Sequence, residues 1–231
     1  MRILIDSANI EQIKQIYEYY PISGVTTNPT LLSQMGVDNP YDILGPIRDF
    51  ICEEDELHVQ VISRRAEEMV KEAEHIVDIL GVNTYIKIPA VPEGFKAMQI
   101  LLNESEIPFT ATAIYTPMQA FMAAKCGASY VAPYINRIDN MGYNGLTVAK
   151  QIQNIINNND MEAGILAASF KNSQQVLELC EYGIDSATIA PNILMDVIMN
   201  AAVNDAVETF IKDFESFAGE SKTMLDFKEE A

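Results

Sequence analysis

Short apolar runs alternate with helical segments from one end of this chain to the other, and that alternation limits the fold more than any other feature. RILIDSA from Arg2 reads as a strand, followed by a helix with Ile13, Ile16, Tyr17 and Tyr20 at helical spacing. The pattern repeats in GVTTNP from Gly24 with a helix near Tyr41–Ile51, and in LHVQVIS from Leu57 with a helix from Ala66. In that helix Met69, Val70, Ala73, Ile76, Val77 and Leu80 form one stripe. TYIKIPA, IPFTATAIY, YVAPYIN, GILAASF and SATIAPN continue the series, each leading into a helical run. Pro92 suits a first helical turn, and Gly127 and Gly183 suit helix ends. About eight such units without a Pro-, Gly- or Ser-rich linker point to an α/β fold, a single (β/α)8 TIM barrel, more than to an open doubly wound sheet. No GxGxxG follows a strand and no Walker loop is present.

Within that pattern Lys87 is out of place. It stands between Ile86 and Ile88 in TYIKIPA, and buried parallel strands are near-continuously apolar. Three outcomes are open: the ammonium snorkels to water, pairs with a carboxylate, or does chemistry. One face of a barrel strand meets helices and the other the interior, so water is near only at the mouth. Desolvation favours the neutral amine, which is the form that attacks a carbonyl.

Barrel active sites lie at the C-terminal ends of the strands. The polar residues expected there are Asp6, Thr26, Thr27, Asn28, Gln60, Lys87, Thr112, Tyr134, Asn136, Arg137 and Ser169. Seven of the eight strands contribute one, and a structural interior would use Val, Ile and Leu instead. Each has a plainer reading. Asp6 could cap the next helix or pair with Lys87, and Asn28 before Pro29 could serve only a turn. Gln60, Thr112 and Tyr134 could be satisfied core groups, and Arg137 could pair with Asp139. An Arg at a strand end is nonetheless a good oxyanion receptor, and barrels often build phosphate sites after strand seven, where Ser169 falls.

Composition removes other classes. The formal net charge of -18 is unsuited to nucleic acid or to anionic membranes, so neither is an expected partner, and an anionic substrate needs a local cationic pocket. Cys52, Cys126 and Cys180 lack CxxC spacing and read as reduced core thiols of a cytoplasmic protein. No leader or membrane-length apolar run is apparent. With only His58 and His75, neither a three-His zinc site nor a Ser-His-Asp triad is readily built, so the reading needs no metal and no cofactor.

GVTTNPTLL from Gly24, IKIP around Lys87, TAIY from Thr112, YVAPYINRID from Tyr130 and AASF from Ala167 resemble the small bacterial transaldolase family. The likeness runs from Asp6 to the last strand. It implies that Lys87 forms a Schiff base, that Asp6 and Asn28 line the ketose end, that Thr26 is among the substrate-binding residues, and that Arg137 and Ser169 hold a substrate phosphate. Thr112 and Gln60 would position a water. Transaldolases of the family carry Glu and Phe where this chain has Gln60 and Tyr134, and its aldolase branch carries Gln and Tyr. Ala132 also fits the aldolase pattern. The implied reaction is reversible cleavage of fructose 6-phosphate to dihydroxyacetone and glyceraldehyde 3-phosphate, with transfer of the three-carbon unit between sugar phosphates as the alternative. Thr110 and Ala111 depart from the family pattern and are expected to reshape the acceptor pocket.

A long helical stretch from about Ile193 to Phe217 carries more apolar residues than one barrel helix needs. It either packs on its own barrel or docks on a neighbouring subunit of a homo-oligomer, a pentamer or decamer by the same resemblance. The barrel with this helix is expected to span 1–219, and 220–231 to form a charged, mobile tail.

Overall fold

The computed structural model describes residues 1–198 and 200–228. In chain order the elements are β1 (Arg2–Asp6), α1 (Ile10–Tyr19), β2 (Gly24–Thr26), α2 (Pro29–Ser33), α3 (Tyr41–Phe50), β3 (Glu56–Gln60), α4 (Ala66–Leu80), β4 (Thr84–Pro89), α5 (Pro92–Glu104) and β5 (Phe109–Ile114). They continue with α6 (Pro117–Lys125), β6 (Tyr130–Pro133), α7 (Ile135–Asn140), α8 (Gly145–Asn158), β7 (Gly164–Ala167), α9 (Ser173–Tyr182), β8 (Ser186–Ile189), α10 (Pro191–Ile198) and α11 (Ala201–Ala218). The strands pair in parallel in the order β1 to β8, and β8 closes on β1, giving the expected (β/α)8 barrel.

Local chemistry explains the boundaries. Asn9 caps α1 by accepting from the amides of Glu11 and Gln12, and Thr116 and Gln119 form a capping box at α6. Gly183 ends α9 in the left-handed region, φ 83°, where its amide reaches the Cys180 and Leu179 carbonyls. Gly24 lets β2 lie against β3: a Cβ there would stand 2.3 Å from the Glu56 carbonyl oxygen.

Strand parity sorts the side chains. Ile5, Val25, Leu57, Ile86, Ile88, Val131 and Ile165 turn outward into the main core beneath the helices. The alternate positions fill the barrel, where Leu4, Tyr130, Ala132 and Leu166 form a separate apolar cluster. Below the mouth this interior is unusually polar. Glu56 accepts from Arg2, Tyr130 and His58, and His58 Nδ1 lies 2.9 Å from Thr110 Oγ1.

The structure corrects several expectations. YVAPYIN is not a strand throughout: β6 stops at Pro133 and α7 starts at Ile135. The C-terminal stretch is two helices, α10 and α11. Asn200 caps the second by accepting from the Ala202 amide, and Met199 lies outside the described residues. Cys126 alone of the three cysteines is buried; Cys52 and Cys180 face solvent. In the charged tail Thr223 caps a single 3-10 turn, Met224–Asp226, and 229–231 lie outside the described residues.

Candidate active site

A cavity of about 290 Å³ opens at the C-terminal end of the barrel, lined by Asp6, Asn28, Gln60, Lys87, Tyr134, Arg137 and Ser169. Every one was expected there from the sequence. Thr26 and Thr112 stand just behind them: Thr26 donates to Asp6 Oδ1 at 2.8 Å, and Thr112 Oγ1 lies 2.7 Å from the Tyr134 hydroxyl. Thr188 of β8 also lines the cavity, 2.6 Å from Thr26 Oγ1. Sequence reasoning missed it, because a lone threonine in a strand reads as an ordinary β-former. All eight strands or their C-terminal turns therefore bring a polar group to this end.

Lys87 does not snorkel. It is 6% exposed and its Nζ donates to the Thr27 carbonyl oxygen at 2.7 Å. Nor does it form a direct ion pair with Asp6 among the described residues. Burial pulls its proton affinity below that of an ordinary lysine; Asp6 opposes that shift and the Arg137 charge adds to it. Burial also pushes the Asp6 carboxyl above its ordinary value, against the opposing pull of Lys87, the Thr26 hydrogen bond and Arg137. Both shifts run the same way, toward the neutral amine of Lys87 and the neutral carboxyl of Asp6.

The plainer readings divide. Asp6 caps no helix, since Asn9 has that place. Asn28 is structural as well as pocket-lining: its Oδ1 caps α2 by accepting from the Leu31 amide at 3.0 Å. Arg137 does not pair with Asp139, whose oxygens accept from the Gly145 amide and Gln175 Nε2. The guanidinium stacks on the Tyr134 ring, 4.7 Å from its centroid, and remains available to an anion. Asn136 contributes backbone, donating its amide to the Ser169 carbonyl and tying α7 to the end of β7. Thr27 likewise acts through its main chain, holding the His58 carbonyl with its amide and hydroxyl. Thr110 and Ala111, expected to reshape the acceptor pocket, do not line it. Thr110 bonds His58 below the cavity and Ala111 packs outward in the core.

The model of the family described as "Transaldolase/Fructose-6-phosphate aldolase" matches residues 3–231. The chain belongs to that family. Among similar curated proteins, a probable transaldolase of Clostridium botulinum is 40% identical over 215 residues, covering 93% of this chain and 98% of the relative. A probable transaldolase of Hydrogenobaculum sp. is 38% identical over 216 residues, covering 93% and 97%. Among solved structures, a mandelate oxidase mutant with a monooxide FMN adduct superposes with a TM-score of 0.56 at 11% identity, covering 94% of this chain and 74% of that one. At that identity the likeness concerns the barrel alone. The protein is thus a transaldolase-family enzyme of the class I aldolase type.

A larger cavity, about 700 Å³, opens at the opposite, N-terminal end of the barrel beside Arg2, Tyr85, Tyr130 and Asp185. Size does not make it the reactive site of this transaldolase-family barrel. The buried charge at its floor is already matched, Glu56 against Arg2, and the N-terminal end of a barrel carries stability rather than chemistry. Among the described residues no three His, Cys, Asp or Glu side chains gather as metal ligands, and no helix is long and apolar enough to cross a membrane.

Proposed function

We propose that this chain is a fructose-6-phosphate aldolase: it cleaves fructose 6-phosphate reversibly to dihydroxyacetone and glyceraldehyde 3-phosphate through a Schiff base on Lys87. The observation that carries the reading is the buried amine of Lys87, held toward neutrality in the same cavity as Asp6 and the Tyr134–Thr112 hydroxyl pair. The amine adds to the C2 ketone. Protonated Asp6 gives a proton to the departing hydroxyl, and water leaves. Tyr134, its hydroxyl aimed by Thr112, takes the C4 hydroxyl proton as its own phenolic proton passes through water to the Asp6 carboxylate that the dehydration left. The C3–C4 bond breaks, its electron pair passes to the iminium nitrogen, and glyceraldehyde 3-phosphate departs from an enamine. Protonation of the enamine carbon and hydrolysis free dihydroxyacetone. Arg137 and Ser169 hold the phosphate, Asn28 the ketose end, and Gln60 orients water without exchanging protons itself.

A second reading is favoured by the relatives' own description as probable transaldolases. In it the same enamine passes to an aldose phosphate. Gln60 weighs against it, because an amide cannot shuttle protons as a carboxylate does. Borohydride reduction in the presence of fructose 6-phosphate tests the step common to both. A stable adduct on Lys87, absent in Lys87→Met, is expected. Unmodified Lys87, or normal turnover by Lys87→Met, refutes the mechanism.

We further propose that the protein is a cytoplasmic homo-oligomer in which α11 docks on a second copy. Ala218 is the one residue of α11 buried among those described, and Val203, Val207, Phe210 and Ile211 face outward. A monomer by light scattering at micromolar concentration refutes this.

A further inference from the structure

The ladder between β5 and β6 slips at the edge of the cavity. Ala111 pairs with Val131, but Ile114 pairs with Pro133, so three steps along β5 face two along β6. This is a β-bulge, a feature that re-aims side chains near active sites. Thr110 and Thr112 point inward, to His58 and to Tyr134. Ala111 points outward. Unbroken alternation would send Ala113 outward and Ile114 into the mouth of the site. The reverse is seen. Ile114 is fully buried in the outer core, and Ala113 lines the cavity. The bulge thus removes a branched side chain from the mouth and leaves one methyl there.

The methyl is held against a backbone preference. Ala113 has φ 56°, in the left-handed region that glycine occupies freely and alanine does not. Glycine would relieve the strain, yet alanine stands there, and strain of this kind gathers where a side chain has work to do. The register also gives the level of the methyl. Thr110 pairs with Lys87 and Thr112 with Pro89, so Ala113 stands further along the strands toward the mouth than the backbone of Lys87. That is the side from which an aldehyde approaches a donor already bound to Lys87, next to the Thr112–Tyr134 pair.

We propose that the Ala113 methyl is the steric stop that limits branching next to the carbonyl of the acceptor aldehyde. The inference rests on the aldolase reading above. Ala113→Gly removes the methyl and suits the backbone; Ala113→Asn enlarges the side chain and tolerates the same left-handed conformation. The assay is kcat/KM for adding dihydroxyacetone to propanal and to 2-methylpropanal, with thermal melts confirming that each variant is folded. A methylene-sized change in a pocket alters discrimination by roughly 10- to 200-fold. Ala113→Gly is expected to raise the branched-to-unbranched ratio at least about 10-fold, and Ala113→Asn to lower it by a similar factor. Ratios for both variants within about twofold of the parent overturn the proposal, since the expected effect is far larger. Borohydride trapping of dihydroxyacetone on the parent enzyme separates the two failures. A parent that traps with unmoved ratios sinks the Ala113 inference alone; a parent that does not trap sinks the aldolase reading and this inference with it.

Discussion

Replacing Tyr134 by Phe removes one oxygen and leaves the ring in place. The ring is gripped from two sides, by Arg137 at 4.7 Å and by Tyr115 edge-on at 5.8 Å, so its packing survives. What disappears is the hydroxyl 2.7 Å from Thr112 Oγ1. Thr112 is fully buried, and an orphaned buried hydroxyl costs about 1–3 kcal/mol; the adjacent cavity admits water, which favours the lower end. The melting temperature should therefore fall by only about 2–4 °C for a chain of this size. The chemical loss should be larger. A positioned proton-transfer group contributes roughly 10²- to 10⁴-fold, equivalent to about 3–5 kcal/mol of barrier. Steady-state cleavage of fructose 6-phosphate, paired with borohydride trapping, reads both effects. The expected result is a kcat reduced at least about 100-fold with trapping of dihydroxyacetone on Lys87 preserved, because adding the amine to the ketone does not need Tyr134. A folded Tyr134→Phe enzyme with kcat within about fivefold of the parent would refute the assignment of Tyr134 as acid/base, since a positioned general base typically contributes about 100-fold or more.

Arg137→Leu should raise KM for phosphorylated substrates by about 10- to 100-fold, the value of one to two charge-assisted hydrogen bonds, and leave unphosphorylated aldehydes nearly unaffected; equal losses for both classes would show that Arg137 does not read phosphate. Gly94→Ala should destabilise the fold despite alanine's better helix propensity, worth about 1 kcal/mol. A Cβ there would stand 1.9 Å from the Pro89 carbonyl oxygen, so α5 must shift, at about 1–3 kcal/mol or more, and the end of the Lys87 strand with it; an unchanged denaturation midpoint counts against that packing. Acid should weaken the barrel floor. Burial pulls His58 below its ordinary 6.5, only partly offset by Glu56, so the unfolded chain takes that proton first and stability drops as pH falls below 6.5. Glu56 acts in the same direction at lower pH: burial pushes it up, but hydrogen bonds from His58, Arg2 and Tyr130 hold it below its ordinary 4.5. Thermal melts should fall between about pH 7 and 5, and His58→Gln should flatten that slope; an identical slope in the variant would remove His58 as its cause.

The barrel was legible because its signal is periodic and repeated: each apolar run and each capped helix argues the same way. Lys87 was legible because every neighbour is apolar, and its strand-end companions because barrel chemistry has a fixed address. What escaped was decided by geometry without a compositional mark. The bulge in β5 reverses inside and outside after Thr112, so simple alternation misplaces Ala113 and Ile114. The same lack of a marker hid the role of Thr110, whose partner His58 is far away in sequence and was weighed only as a metal ligand or triad member. The α10–α11 boundary was invisible because the apolar spacing runs on across it, and only the Asn200 cap betrays it. Cys52 and Cys180 were assigned to the core because they lie on or near helices, but they stand on the solvent-facing sides of a loop and of α9.

The central claim is that the Lys87 enamine is discharged by a proton rather than by a second sugar. Incubation with fructose 6-phosphate and no added acceptor, with glyceraldehyde 3-phosphate followed through a coupled dehydrogenase, tests it most directly. The account predicts steady release over many turnovers. Release that stops at one equivalent per active site and resumes when erythrose 4-phosphate is added would contradict it, and would make this chain a transaldolase.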